Sequence, residues 1–230
     1  MESLKPHTLL PFEQALESLR ANVLMMAGLT LRSLRHVEHG LFQRKIDECN
    51  IAIADDEEVD ALEVQIDQAG VDLLIRFQPV AGDLRQVIGA MKISSNIERI
   101  ADQVVSIGRR ARKLNEHPAL PELHQLQPMF HLAAGMFEDS IRYYSERNEA
   151  AAREMKMRDR ELDALNKKLT DVFTDAMQGN VGAIRGYLNL IFIARVLERI
   201  GDHATNICEE VVYVCAAEDI RHAKRAERSP

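Results

Sequence analysis

Residues 78–111 read QPVAGDLRQVIGAMKISSNIERIADQVVSIGRRA, and this stretch decides the fold. Its apolar residues Ile93, Ile97, Ile100, Val104, Ile107 and Ala111 step by three or four. That spacing places side chains on one face of an α-helix. Pro79 ends any helix arriving from the N-terminal side, because a proline inside a helix costs about 3 kcal/mol. Upstream, Leu16, Leu19, Val23, Met26, Thr30, Leu34, Val37 and Leu41 form one stripe of the same kind, and Val59, Leu62, Ile66, Ala69, Leu73 and Phe77 another. Downstream, Leu190, Ile193, Leu197, Ile200, Ala204, Ile207, Val211 and Val214 repeat the pattern.

The prolines bound these helices. They stand at Pro6, Pro11, Pro79, Pro118, Pro121, Pro128 and Pro230. Breaks near 42–45, at 78–79, near 146–148 and at 179–182 then give six helices, over 12–41, 46–77, 81–115, 127–145, 149–178 and 183–218. The expectation is an all-α chain of two tandem antiparallel three-helix bundles. The first spans 10–115, a linker 116–126, the second 127–219, and a flexible basic tail 220–230.

Composition agrees with that reading. The chain has 230 residues, 46% of them apolar and 5% aromatic, with no Trp. This apolar content excludes a disordered chain, and the scarcity of aromatics disfavours a β-sandwich. The net charge of −7 argues against a nucleic-acid binder. No apolar run reaches the length of a membrane span or a signal peptide. Cys49, Cys208 and Cys215 are scattered, as in a reducing cytoplasm, and each reads as a small core residue.

The two halves repeat. Asp56-Glu-Glu-Val-Asp60-Ala-Leu matches Asp159-Arg-Glu-Leu-Asp163-Ala-Leu at an offset of 103. Glu98-Arg-Ile-Ala-Asp102 matches Glu198-Arg-Ile-Gly-Asp202 at an offset of 100. Fixed-offset similarity in the same order indicates two copies of one unit.

The repeat carries acids in a pattern. An acid followed by Asp four residues later occurs six times, where composition alone gives about two. Such pairs share a helix face and repel unless neutralised. If Pro79 marks a hairpin turn, Asp56 faces Asp102 and Asp60 faces Glu98. A second turn near position 180 sets Asp159 against Asp202 and Asp163 against Glu198. Each hairpin thus gathers a quartet of carboxylates at one level, roughly 30 Å from its turn at about 1.5 Å per residue. Their phase puts them at the edge of the apolar stripe, in a surface-proximal site. The pairs 63/67 and 171/175 lack facing acids and read as solvated surface.

Grouped carboxylates are hard-oxygen donors, suited to Mg²⁺, Mn²⁺, Ca²⁺ or iron. The expected cofactor is a divalent or iron-type ion (Mg, Mn, Fe or Zn). The competing reading is an arginine-laced surface, since Arg99, Arg195 and Arg199 adjoin the motif. His203 beside Asp202 reads as a surface residue, and no Glu-x-x-His suggests a di-iron oxidase. No phosphate-binding glycine loop and no nucleophile–base arrangement is present. Arg109, Arg110, Arg112 and Lys113 most simply complement a helix C-terminus.

The doubled Glu-Arg-Ile-x-Asp at 98–102 and 198–202, with Gln78-Pro79-x-Ala81-x-Asp83-Leu84-Arg85 at the first turn, resembles the PhoU family over about residues 10–219. The resemblance implies two three-helix bundles related by a pseudo-twofold axis and metal-binding E/D-x-x-x-D motifs. Those are Glu98, Asp102, Glu198 and Asp202, with Asp56, Asp60, Asp159 and Asp163 opposite. It also implies a cytoplasmic, non-enzymatic regulator of phosphate homeostasis. Such a protein represses the phosphate regulon, acting between the phosphate ABC transporter, through its ATPase subunit, and the phosphate-sensing histidine kinase. The membrane is then met only through partners, and a homodimer is expected. Phe77 departs from the family's Arg-Gln-Pro turn. The alternatives are a carboxylate-bridged metalloenzyme and a metal-free helical scaffold.

Overall fold

The computed structural model describes residues 6–221. Its helices are α1 (Pro6–Phe42), α2 (Ile46–Ala54), α3 (Asp56–Phe77), α4 (Ala81–Asn115), α5 (Gln127–Glu146), α6 (Glu149–Gly179) and α7 (Ile184–Ala216). Short 3-10 turns cover Pro121–Leu126 and Val181–Ala183. The expected tail beyond Arg221 lies outside the described residues.

The six expected helical segments are present, and three details differ. The second segment is interrupted at Asp55, whose carboxylate is drawn onto α1 by Ser33 Oγ at 3.2 Å and Arg32 Nη2 at 3.2 Å. The interruption makes Asp56 the first residue of α3, with Glu57 and Glu58 beside it, where the helix dipole favours acids. Helix α1 starts at Pro6 and contains Pro11, against the expectation that long helices avoid prolines. Pro11 lies within the first two turns, where few backbone bonds are at stake. Part of the expected linker is the 3-10 turn at Pro121–Leu126.

The breaks follow local chemistry. Gln78 and Arg147 adopt left-handed conformations, φ 46° and 54°, and return their N–H groups to the preceding turn. Asn148 accepts a hydrogen bond from Ala151 N and caps α6. Phe77, the departure from the family's turn, packs edge-on against Phe12 with ring centroids 5.6 Å apart.

Packing follows the apolar stripes. All six residues of the α4 stripe are buried. Helix α3 packs on α4, α4 on α7 and α7 on α6, while α1 and α5 lie against these from behind. Helices α4 and α7 run antiparallel: Lys92 reaches Glu210, Asn96 meets His203 and Arg110 meets Asn189. These pairings place the pseudo-twofold axis near Ile100 and Ile200. Cys49 and Cys208 are buried, as expected of small core residues. Cys215 is exposed instead, because it lies in the last turn of α7, beyond the covered part of the bundle.

The halves solve one packing problem differently. A Cβ on Gly201 would meet Leu162 Cδ2 at 2.2 Å. The corresponding positions in the first half hold Ala101 and Val59, both buried. A larger residue on one helix is matched by a smaller one on its neighbour, keeping the volume of the seam.

Candidate functional site

The acids lie on the helices the turn arithmetic names, and carboxyls on facing helices sense one another across each hairpin. Asp56 and Asp60 lie on α3 and Glu98 and Asp102 on α4; Asp159 and Asp163 lie on α6 and Glu198 and Asp202 on α7. Exposure matches across the repeat. Asp56, Asp159, Glu98 and Glu198 are half-buried, whereas Asp60, Asp163, Asp102 and Asp202 are exposed. The site is surface-proximal.

The acids feel one another. Burial, then Asp60 and Asp102, raise the Asp56 carboxyl above its ordinary range. Burial raises Glu98, with Arg99 opposing and Asp102, Glu63 and Asp60 adding to the rise. In the second half, burial and then Asp163 raise both Asp159 and Glu198. Asp202 is exposed as a whole residue, yet partial desolvation of its carboxyl, then Asp159, Glu198 and Asp163, push it up to about 6. A proton or another cation at either site therefore relieves repulsion.

Some members were not expected. Glu63 is not solvated surface: it is half-buried, and burial, then Asp67, and, more weakly, Asp60 raise its carboxyl. A facing acid was the wrong criterion, since Glu98 reaches it from one turn along. Asp67, Asp171 and Asp175 are exposed, as expected of solvated residues. The position corresponding to Glu63 holds Asn166, whose Nδ2 donates to Glu198 Oε2 at 2.6 Å. Thr205 Oγ1 donates to Asp159 Oδ1 at 3.3 Å. Lys156 and Glu209 form an ion pair at 3.0 Å. They line an open cleft of about 740 Å³ with Asp159, Asp163, Asp202 and Thr205.

Arginine also enters. Arg99 Nη1 lies 3.6 Å from Asp102 and its Nε 3.3 Å from Glu98 Oε2. His203 is half-buried between the sites, its Nδ1 3.1 Å from Asn96 Oδ1. Burial, then Arg99 and Arg199, lower its pKa, which favours the neutral ring.

The donor chemistry suits a hard cation. Each site retains a buried oxygen with no hydrogen-bond partner: Glu98 Oε2 in the first, which meets the Arg99 guanidinium at ion-pair distance but without a hydrogen bond, and Asn166 Oδ1 in the second. As the side chains stand, no three Asp, Glu, His or Cys residues among those described converge closely enough to hold a metal ion. The residues are thus gathered and mutually destabilised, but not closed around a centre.

Known proteins share this architecture. The family model of the PhoU domain matches residues 23–111 and again 126–211. A phosphate-specific transport system accessory protein PhoU homolog from Zymomonas mobilis is 32% identical, over 96% of this chain and 93% of its own length. A protein of the same name from Xylella fastidiosa is 30% identical, over 95% and 90%. The crystal structure of PhoU from Pseudomonas aeruginosa superposes with a TM-score of 0.87 at 28% identity, covering 90% of this chain and 100% of that one. The PhoU structure from Streptococcus pneumoniae, at 24% identity and a TM-score of 0.84, shares the fold.

Proposed function

The chain belongs to the PhoU domain family, and from that premise we propose that it is an accessory protein of phosphate transport that regulates phosphate homeostasis by docking to partners. It represses the phosphate regulon when phosphate is plentiful, as a non-enzymatic adaptor between the ATPase subunit of the phosphate ABC transporter and the phosphate-sensing histidine kinase. The observation that carries the reading is the doubled carboxylate set, held at matched levels across the α4–α7 pair. An adaptor reads its state through its surface, and this surface has two matched places where a cation changes the charge.

Asp56, Asp60, Glu98 and Asp102 would hold the ion in the first half, with Asp159, Asp163, Glu198 and Asp202 in the second. Glu63 and Asn166 supply a further oxygen in each. A bound divalent or iron-type ion would neutralise the acids and draw neighbouring helices together; the chain's part is to supply hard oxygens and balance them with arginine. No helix among the described residues is long and apolar enough to cross a membrane. We place the protein in the cytoplasm as a homodimer, for which light scattering of the purified chain is the check.

Deletion of the gene with a phosphate-starvation reporter, in high phosphate, tests the regulatory role. The expected result is a reporter switched on; a silent reporter overturns it. Calorimetric titration with Mn²⁺ tests the ion role separately. Glu98→Gln with Glu198→Gln is expected to weaken binding at least tenfold, and a wild-type chain that binds no ion refutes it.

A further inference from the structure

The pseudo-twofold axis gives every position on α4 a counterpart on α7, so each end of this helix pair serves as a control for the other. At one end Lys92 Nζ lies 3.1 Å from Glu210 Oε1. Glu210 is buried, and Lys92 also lies 5.4 Å over the Tyr213 ring. A charge removed from water is paired, as burial requires. At the other end the counterparts of Glu210 and Lys92 are Arg110 and Phe192. Here the guanidinium carbon of Arg110 lies 4.3 Å over the Phe192 ring. Its Nη1 donates to Asn189 Oδ1 at 3.4 Å, while its Nε is buried with no hydrogen-bond partner. No carboxylate among the described residues forms an ion pair with it. One end has cation and anion; the other has the cation alone.

The surroundings say what is missing. Ile184, Leu188 and Phe192, one turn apart along α7, are 37%, 43% and 42% exposed. Arg185 directly follows Ile184, and Lys113 lies one turn beyond Arg110 on α4; both are exposed and form no ion pair among the described residues. On a chain with a net charge of −7 this is a basic, apolar patch. A stripe of three apolar residues one turn apart matches the apolar face of a second helix laid along it, and the cations select acids on that helix.

We propose that this end of the α4–α7 face is a docking surface for an acidic amphipathic helix of a partner protein, whose carboxylate pairs with Arg110 while its apolar residues lie on Ile184, Leu188 and Phe192. An isologous pair of copies centred on the patch would set guanidinium against guanidinium, so the occupant is a different chain.

Photo-crosslinking tests this. Benzophenone-phenylalanine replaces Leu188 in the full chain in its own cells, and adducts are mapped by mass spectrometry to the partner peptide. The expected adduct lies in an acidic helical segment of another protein. Its yield falls at least tenfold with Arg110→Glu and less with Arg110→Gln, both variants first shown to unfold at the wild-type temperature. With the purified partner, reversing the mapped acid to Lys restores binding to Arg110→Glu. Any of four results overturns the proposal: no adduct, an adduct indifferent to Arg110→Glu, an adduct to lipid, or an adduct to a second copy. An adduct that meets these criteria on a protein unconnected with phosphate keeps the docking surface and counts against the regulatory role.

Discussion

Asp202→Asn changes one atom in the second carboxylate site, and its effect should reverse sign with the solution. The folded chain holds the Asp202 carboxyl at about 6 against an ordinary 3.8. At neutral pH the ionised group therefore destabilises the fold, by roughly 3 kcal/mol if the whole gap is counted. Asp202 is exposed, so solvent screening reduces this to about 1 kcal/mol. As pH falls through about 6 toward 3.8, the folded form takes up its proton before the unfolded form does, and stability rises. In EDTA at pH 7.5, Asp202→Asn should thus raise stability by about 1 kcal/mol, a melting shift of about 2–4 °C for a chain of this size. The gain should vanish below about pH 4, where both forms are protonated. In Mn²⁺ at a hundred times its dissociation constant the wild type gains about 2.7 kcal/mol. The variant loses most of that gain and becomes the less stable protein. Melting followed by circular dichroism at pH 7.5 and pH 4, with EDTA or Mn²⁺, measures all of this. A variant less stable than wild type in EDTA at pH 7.5, or a gain independent of pH, refutes the account of crowded carboxylates. Failure of the Mn²⁺ arm alone refutes the ion.

Three further outcomes concern packing and turns. Gly201→Ala forces a methyl toward Leu162 and should cost about 1 kcal/mol, overpacking of about 2 offset by about 1 from helix propensity; adding Leu162→Val should recover at least half, and additive costs in urea unfolding would show that the two positions do not share volume. Gln78→Gly relieves a left-handed residue at φ 46° and should stabilise by about 0.5–1 kcal/mol. A loss of stability there would mean that the Gln78 side chain, and not its backbone, holds the turn. Lys92→Met leaves the Glu210 carboxylate buried without its cation and should cost about 2 kcal/mol at pH 7. Adding Glu210→Met should recover at least half of that cost, and additive costs in urea unfolding would count against the ion pair as its cause.

Much of this molecule was legible because its signals are one-dimensional. Helical stripes and prolines bound the helical segments to within two residues, except that α1 runs six residues further toward the N-terminus through Pro11, and a turn position plus a count of residues pairs Asp56 with Asp102 and Asp159 with Asp202. What was missed depends on contacts between distant elements. The interruption at Asp55 follows from Ser33 and Arg32 on another helix, which no local spacing records. Glu63 departs from the expected solvated surface because a long side chain reaches one turn along a neighbouring helix, which a count of facing positions does not register. The second repeat held a usable signal, since Asn166 at the same position is also polar. Arg110 read as a helix-end charge and proved to lie over Phe192, a residue 82 positions away.

The repeat also separates what stability requires from what it does not. Where the halves need only to pack, they differ and compensate, as Val59 with Ala101 against Leu162 with Gly201. Where only charge balance is needed they also differ: Arg109 corresponds to Glu209, and Glu63 to Asn166. The acids at 56, 60, 98 and 102 recur unchanged in kind at 159, 163, 198 and 202. Their environment raises Asp56, Glu98, Asp159, Glu198 and Asp202 in the direction that disfavours the charged form. Stability alone would favour replacing any of them with an amide, as happens naturally at Asn166. The same unfavourable charges on either side of one axis therefore answer to something outside the folding equilibrium; the ion proposed above, if bound only by the folded chain, would turn their repulsion into attraction.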